Sequence, residues 1–138
     1  ITDIRMTRYF LTVQEAIWLI FKAINLSKWW EIFVTKMPAC SIIDLAEVLS
    51  KLYNKEFKYR IIWIRNWEKL HEELISENES KYTVEKDDFR IILPINWKLD
   101  KNYKNEIKMN DGKYTSNDIL MSKNEIKNML TNNWIIKN

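Results

Sequence analysis

Three times in this chain a hydroxyl residue stands three positions before an acid at the head of a run with helical periodicity. The pairs are Thr12 with Glu15, Ser41 with Asp44, and Ser122 with Glu125. Each is the signature of a helix start. The hydroxyl accepts a first-turn N–H, and the acid reaches back to the cap. The spacing predicts helices from Thr12 to about Asn25, from Ser41 to about Tyr53, and from Ser122 through Leu130. Ala16, Ile17, Leu19, Ile20, Ala23 and Ile24 surround most of the first helix, which is therefore expected to be buried on most sides. The second carries Leu45, Val48, Leu49 and Leu52 on one face. Strand candidates lie between: Glu31–Lys36 alternates, Phe57–Ile64 is rich in β-formers, and Phe89–Leu93 stops at Pro94, which cannot continue a ladder. A fourth helix is predicted over Trp67–Glu77 with Asn66 as its N-cap. Lys98–Thr115 is polar, holds Gly112, and reads as a loop. Strands alternating with helices indicate an α/β layout, and 138 residues suit one domain or a piece of a larger protein.

Charge and composition exclude several classes. The net charge of +3 is spread over 22 basic and 19 acidic residues, so no basic stripe argues for nucleic acid. The longest apolar candidate, Ala16–Ile24, is interrupted by Lys22 and is far shorter than the roughly 18 residues of a membrane span. Asp3, Arg5 and Arg8 leave no apolar core for a signal peptide. A single cysteine, Cys40, excludes an internal disulfide framework, fits a reducing, cytoplasmic setting, and reads as a small packing residue. His71, the only histidine, is placed on the surface of the predicted fourth helix. Its His-Glu-Glu-Leu context is not the H-E-x-x-H zinc pattern, and no metal site is expected.

The chemistry concentrates in Ile61–Ser76, IIWIRNWEKLHEELIS. An apolar run ends at Arg65, and Glu68 follows three residues later. A guanidinium offers a planar, permanently charged fork that fits phosphate oxygens. A carboxylate can accept both protons of a ribose diol. Backbone N–H groups at a helix start favour an anion nearby. One junction could therefore hold a diphosphate and its ribose, although an R-x-x-E spacing alone more often marks a surface ion pair.

The same run closely resembles the I-G-I-R-P-G-E-K-L-H-E-E-L-I-S segment near the C-terminus of the inverting UDP-N-acetylglucosamine 4,6-dehydratases. These are extended short-chain dehydrogenases/reductases grouped under capsular polysaccharide biosynthesis. Thr2–Thr12 resembles their T-D-P-x-M-T-R-F-F-M-T segment, and Glu31–Ala46 their E-I-F-V-x-K-M-P-x-x-x-I-x-D-L-A. Thr83–Pro94 resembles T-V-E-x-D-D-x-x-I-I-x-P, and Tyr114–Leu120 a tyrosine–x–serine ending. The resemblance implies that Arg8 and Arg65 contact the diphosphate of UDP-N-acetylglucosamine and that Glu68 contacts the ribose. It implies the C-terminal, substrate-binding part of such an enzyme. The Rossmann half is missing, since there is no G-x-x-G-x-x-G and no Y-x-x-x-K preceding a plausible active helix. Catalytic and NADP-binding residues are therefore expected outside this chain. By resemblance the whole enzyme, expected to be a homo-oligomer, oxidises C4 of the sugar with NADP. It then eliminates water across C5–C6 and returns the hydride to C6 with inversion at C5. This chain alone is expected to be inactive. A dehydratase/5-epimerase of capsule synthesis shares these motifs, and a non-catalytic nucleotide-sugar-binding remnant is the reading from a different class.

Trp29, Trp30, Trp63 and Trp67 stand where the family has glycine, in S-K-G-G-E-I-F and I-G-I-R-P-G-E. The chain has one glycine and seven tryptophans, where about ten glycines are expected at the usual ~7 %. Tryptophan at such positions is expected to overpack at about 1–3 kcal/mol per site, or to strain a backbone that needs positive φ. A gene whose UGA codons mean glycine, read with a code in which UGA means tryptophan, would produce this pattern. UGG at the four codons would exclude it.

Overall fold

The structure, a computed structural model, describes residues 1–28, 30–94, 103, 105–110 and 112–132. These form β1 (Thr7–Tyr9), α1 (Val13–Leu26), β2 (Ile32–Thr35), β3 (Ala39–Ser41), α2 (Ile42–Leu52), β4 (Glu73–Ile75), α3 (Glu77–Ser80), β5 (Thr83–Lys86), β6 (Phe89–Ile92), β7 (Ile107–Lys108), β8 (Tyr114–Thr115) and α4 (Lys123–Asn132). The chain is thus a mixed helix–sheet protein, as its pattern implies. It gathers into two compact units. The first comprises residues 1–10, 38–72 and those from 115 onward, and the second residues 11–37 and 73–114.

In the first unit, β1 pairs antiparallel with β3, placing Arg8 opposite Cys40. Cys40, Val48, Ile126 and Leu130 form its core, with Phe10, Leu45, Leu49, Leu52, Met121 and Met129 packed around them. The predicted face of α2 is the face that packs. Helix α2 ends as its sequence allows: Asn54 takes φ 51°, and the Lys55 N–H reaches the Ser50 carbonyl at 2.8 Å, a Schellman closure in which asparagine stands in for glycine. Cys40 is fully buried, and that burial, with Asp44 nearby, raises its thiol to about 11. It is a packing residue.

The second unit holds an antiparallel sheet in the order β2-β6-β5-β7. Its core is Val84, Phe89, Ile91 and Tyr103, with Leu19, Leu26, Phe33 and Leu93 against it. Phe33 meets Phe89 edge-on at 5.6 Å. The β5–β6 hairpin turns through Asp87, at φ 50°, and Asp88. Strand β4 pairs with β8 in a two-stranded sheet.

Several expectations are corrected. Helix α1 has its capping box, Thr12 with Glu15, but no buried residue. Leu19 and Leu26 reach the core, while Val13, Ile17, Ile20, Phe21 and Ile24 stay exposed. Apolar periodicity measures a helix's hydrophobicity, not how many neighbours cover it. Phe57–Ile64 forms no strand. A β-forming run needs a ladder partner, and among the described residues its backbone finds only Ile1, whose N–H donates to the Arg60 carbonyl (3.1 Å) and whose carbonyl accepts from Ile62 (2.8 Å). The predicted helix over Trp67–Glu77 is absent. The Leu70 carbonyl, which a helix would direct to its own chain four residues on, accepts instead from Thr7 N–H at 3.1 Å, and the chain proceeds into β4. A further capping box, Ser76 with Glu79, starts the short α3 instead. Lys98–Thr115 includes two-residue strands, β7 and β8, at its end; its residues 98–102, 104 and 111 lie outside the described set.

Candidate functional site

The site candidates Arg8, Arg65 and Glu68 all belong to the first unit. Residues 65–68 form a hydrogen-bonded turn, with Glu68 N–H donating to the Arg65 carbonyl at 3.1 Å. Its third residue, Trp67, has φ 76°, the pattern of a type II turn, which is normally reserved for glycine at that place. The Glu68 carboxylate folds back over the turn. Its Oε2 accepts the Arg65 N–H at 3.2 Å, and Oε1 accepts the Thr2 hydroxyl at 3.2 Å. Arg65 and Glu68 are thus neighbours through a turn, not through a helix dipole. The Arg65 side chain is exposed, and its guanidinium makes no ion pair among the described residues.

Arg8 comes to the same segment from β1. Its Nη1 donates to the carbonyls of Thr7 (2.7 Å) and Leu70 (3.2 Å), and its Nη2 to that of Lys69 (2.9 Å). Its Nε lies 3.4 Å from Glu72. Arg8 therefore clamps the residues that follow Glu68, and most of its donors are occupied by backbone. The fork geometry that suits phosphate also suits converging carbonyls.

His71 was expected on a helix surface. It is instead half-buried in a polar cluster. Its Nδ1 lies 2.8 Å from the Thr7 hydroxyl, which lies 2.6 Å from the Ser116 hydroxyl. Ser116 accepts the Glu72 N–H at 2.9 Å, and its own N–H donates to the Glu72 carbonyl at 2.8 Å. Thr7 and Ser116 are 2 % and 0 % exposed. Nothing in the local spacing of the three residues announced this cluster, which spans 109 positions of chain. Elsewhere on the N-terminal segment, the Arg5 guanidinium grips Asp3 and holds its carboxyl down at about 2.

The three described tryptophans at glycine positions do not overpack. Trp30, Trp63 and Trp67 are 82 %, 95 % and 100 % exposed, so none fills interior space or crowds a neighbour. Of these three, Trp67 alone has positive φ. Trp29 lies outside the described residues.

The profile of the family described as "Polysaccharide biosynthesis protein" matches residues 1–94. The chain is 35 % identical over 132 residues to the uncharacterized membrane protein MJ1061 of Methanocaldococcus jannaschii, covering 91 % of this chain and 38 % of that one. It is 35 % identical over 94 residues to a UDP-N-acetylglucosamine 4,6-dehydratase (inverting) of Campylobacter jejuni, covering 68 % of this chain and 27 % of that enzyme. The X-ray structure of Pen from Bacillus thuringiensis superposes with a TM-score of 0.85 at 31 % identity, covering 99 % of this chain and 41 % of Pen. The chain therefore spans only about a quarter to two-fifths of the length of these relatives. Among the described residues no helix is long and apolar enough to cross a membrane. With its fold, its motifs and the match over residues 1–94 in agreement, this chain belongs to the polysaccharide biosynthesis protein family.

Proposed function

We propose that this chain is the UDP-sugar-binding, C-terminal portion of a cytoplasmic UDP-N-acetylglucosamine 4,6-dehydratase (inverting). In this reading Arg65 holds the diphosphate, Glu68 the ribose diol, and Arg8 adds its charge beside the diphosphate while fixing the backbone under it. The observation that carries the reading is the Arg65–Glu68 turn. It presents an exposed guanidinium without an ion-pair partner among the described residues, beside a carboxylate already ordered by two hydrogen bonds. The name and partial coverage of the Campylobacter relative support the substrate class. The whole protein would use a nicotinamide cofactor, NADP, and assemble from copies of itself. The cofactor does not fit residues of this chain, because it has no Gly-rich phosphate turn and its one glycine, Gly112, stands alone.

A charged hydrogen bond contributes about 1.5–3 kcal/mol, so Arg65→Ala should weaken UDP binding about 10- to 100-fold. Calorimetric titration measures it, and equal affinity in the variant removes Arg65 from the role. Incubated with NADP and UDP-N-acetylglucosamine, this chain alone should yield no 4-keto sugar.

A further inference from the structure

The His71–Thr7–Ser116 cluster holds the segment that follows the proposed nucleotide turn, and its hydrogen atoms can be counted. Each hydroxyl has one proton to give. The Ser116 oxygen already accepts the Glu72 N–H. Two arrangements then satisfy the chain. In one, Ser116 donates to Thr7 Oγ1, and Thr7 donates to His71 Nδ1; the imidazole is neutral, with its proton on Nε2. In the other, Nδ1–H donates to Thr7 Oγ1, and Thr7 donates to Ser116. Ser116 then donates to the Thr7 carbonyl, 3.2 Å away. Only the second accommodates a charged imidazolium, because both ring nitrogens then carry protons. Protonating His71 therefore excludes the first arrangement and holds every donor in the second. The last acceptor, the Thr7 carbonyl, is the same oxygen held by Arg8 Nη1 at 2.7 Å.

The backbone downstream of Glu68 is fixed through these atoms. Thr7 N–H and Arg8 hold the Leu70 carbonyl, and Ser116 holds both N–H and carbonyl of Glu72. Two residues separate Glu68 from His71. The segments that the cluster joins carry Asp3, Arg5 and Arg8 beside Thr7, Glu68, Lys69 and Glu72 beside His71, and Lys113 and Asp118 beside Ser116. Asp3 is close enough that the imidazolium helps to lower its carboxyl. An unperturbed histidine changes charge between about pH 5 and 8.

We infer that His71 is a positioning residue for nucleotide binding: through Thr7 and Ser116 its protonation state sets the placement of the Arg65–Glu68 turn. The inference rests on the substrate reading above for the identity of the ligand, and on the cluster alone for the coupling. The protonated form, with its added positive charge, favours the diphosphate.

The experiment follows the ring nitrogens of His71 and the backbone amides of Arg65 and Glu68 by 15N NMR on the full chain from pH 5.5 to 8. Affinity for UDP-N-acetylglucosamine is measured in parallel; its diphosphate diester does not itself ionise in that range. The expected result is that both amides titrate with the His71 midpoint, and that affinity falls about five-fold from pH 5.5 to 8, a coupling of ordinary size. In Thr7→Val, and in the milder His71→Gln, the amides should lose that titration, and affinity should become independent of pH. Amides that stay flat while His71 titrates overturn the inference, as does pH dependence that survives in His71→Gln. If the amides titrate in the native chain but no nucleotide sugar binds at any pH, the coupling stands and the substrate reading falls.

Discussion

Replacing Trp67 by glycine should stabilise this protein, while the same replacement at Trp63 should destabilise it. Both tryptophans are almost wholly exposed, at 100 % and 95 %, so neither change sacrifices buried apolar surface. They differ in backbone. Trp67 sits at φ 76°, where a side chain with a β-carbon costs about 1–2 kcal/mol. Trp63 has no such strain. Glycine carries its own penalty of about 0.4–1 kcal/mol, through the larger freedom of the unfolded chain. Trp67→Gly therefore gains a net ~0.7 kcal/mol, whereas Trp63→Gly loses about that much. At 138 residues this corresponds to roughly 3 °C up and 3 °C down in Tm. The difference between the two variants, about 1–2 kcal/mol, isolates the left-handed strain from every effect common to removing a surface tryptophan. Thermal and urea unfolding followed by far-UV circular dichroism measure it. If both variants shift in the same direction by similar amounts, the turn does not impose positive φ and the reasoning fails. A UGA codon at position 67 would give the strain a simple origin: the residue the cell inserts there is glycine.

Thr12→Ala should destabilise α1 by about 1 kcal/mol, because it removes the acceptor for Glu15 N–H at 3.1 Å, whereas Thr12→Gly should cost only a few tenths; urea midpoints separate the two. Glu47 lies 2.6 Å from Lys123 and 2.7 Å from Lys51, and these ammonium groups pull its carboxyl from 4.5 down to about 2. A carboxylate with its pKa depressed on folding stabilises fully above its unfolded value and loses that contribution as pH falls through the folded one. Stability of the native chain should therefore decline between pH 4.5 and 2, and Glu47→Gln should flatten that part of the profile; an unchanged slope in acid urea titrations removes the Lys51–Glu47–Lys123 bridge from the account.

The helices were legible because their signals are local. The pairs Thr12/Glu15 and Ser122/Glu125 make the cap bonds that their spacing implies; Ser41 starts α2 without a side-chain bond of its own. Strands β2 and β6 were legible from β-forming runs that find ladder partners. Phe57–Ile64 misled for the converse reason, since among the described residues its β propensity has no partner beyond Ile1. The helix over Trp67–Glu77 misled because amphipathic spacing cannot register a residue at positive φ or carbonyls claimed from 62 positions away by Arg8. Of the site, Arg65 and Glu68 were readable as a pair because three residues close a turn as well as they open a helix. Arg8 was readable only through resemblance, and its clamp on Lys69 and Leu70 not at all. The Thr7–His71–Ser116 cluster was invisible, because hydroxyl groups gain meaning only from the neighbours that folding supplies.

The most direct test of the central claim is a 1H–15N NMR titration of this chain with UDP, mapping which backbone amides move. The account predicts saturable shifts concentrated at Arg65–Leu70 and at Arg8, which Arg65→Ala moves to about 10- to 100-fold higher UDP with the rest of the spectrum unchanged. Shifts confined to other surfaces, or none at millimolar UDP, would contradict it.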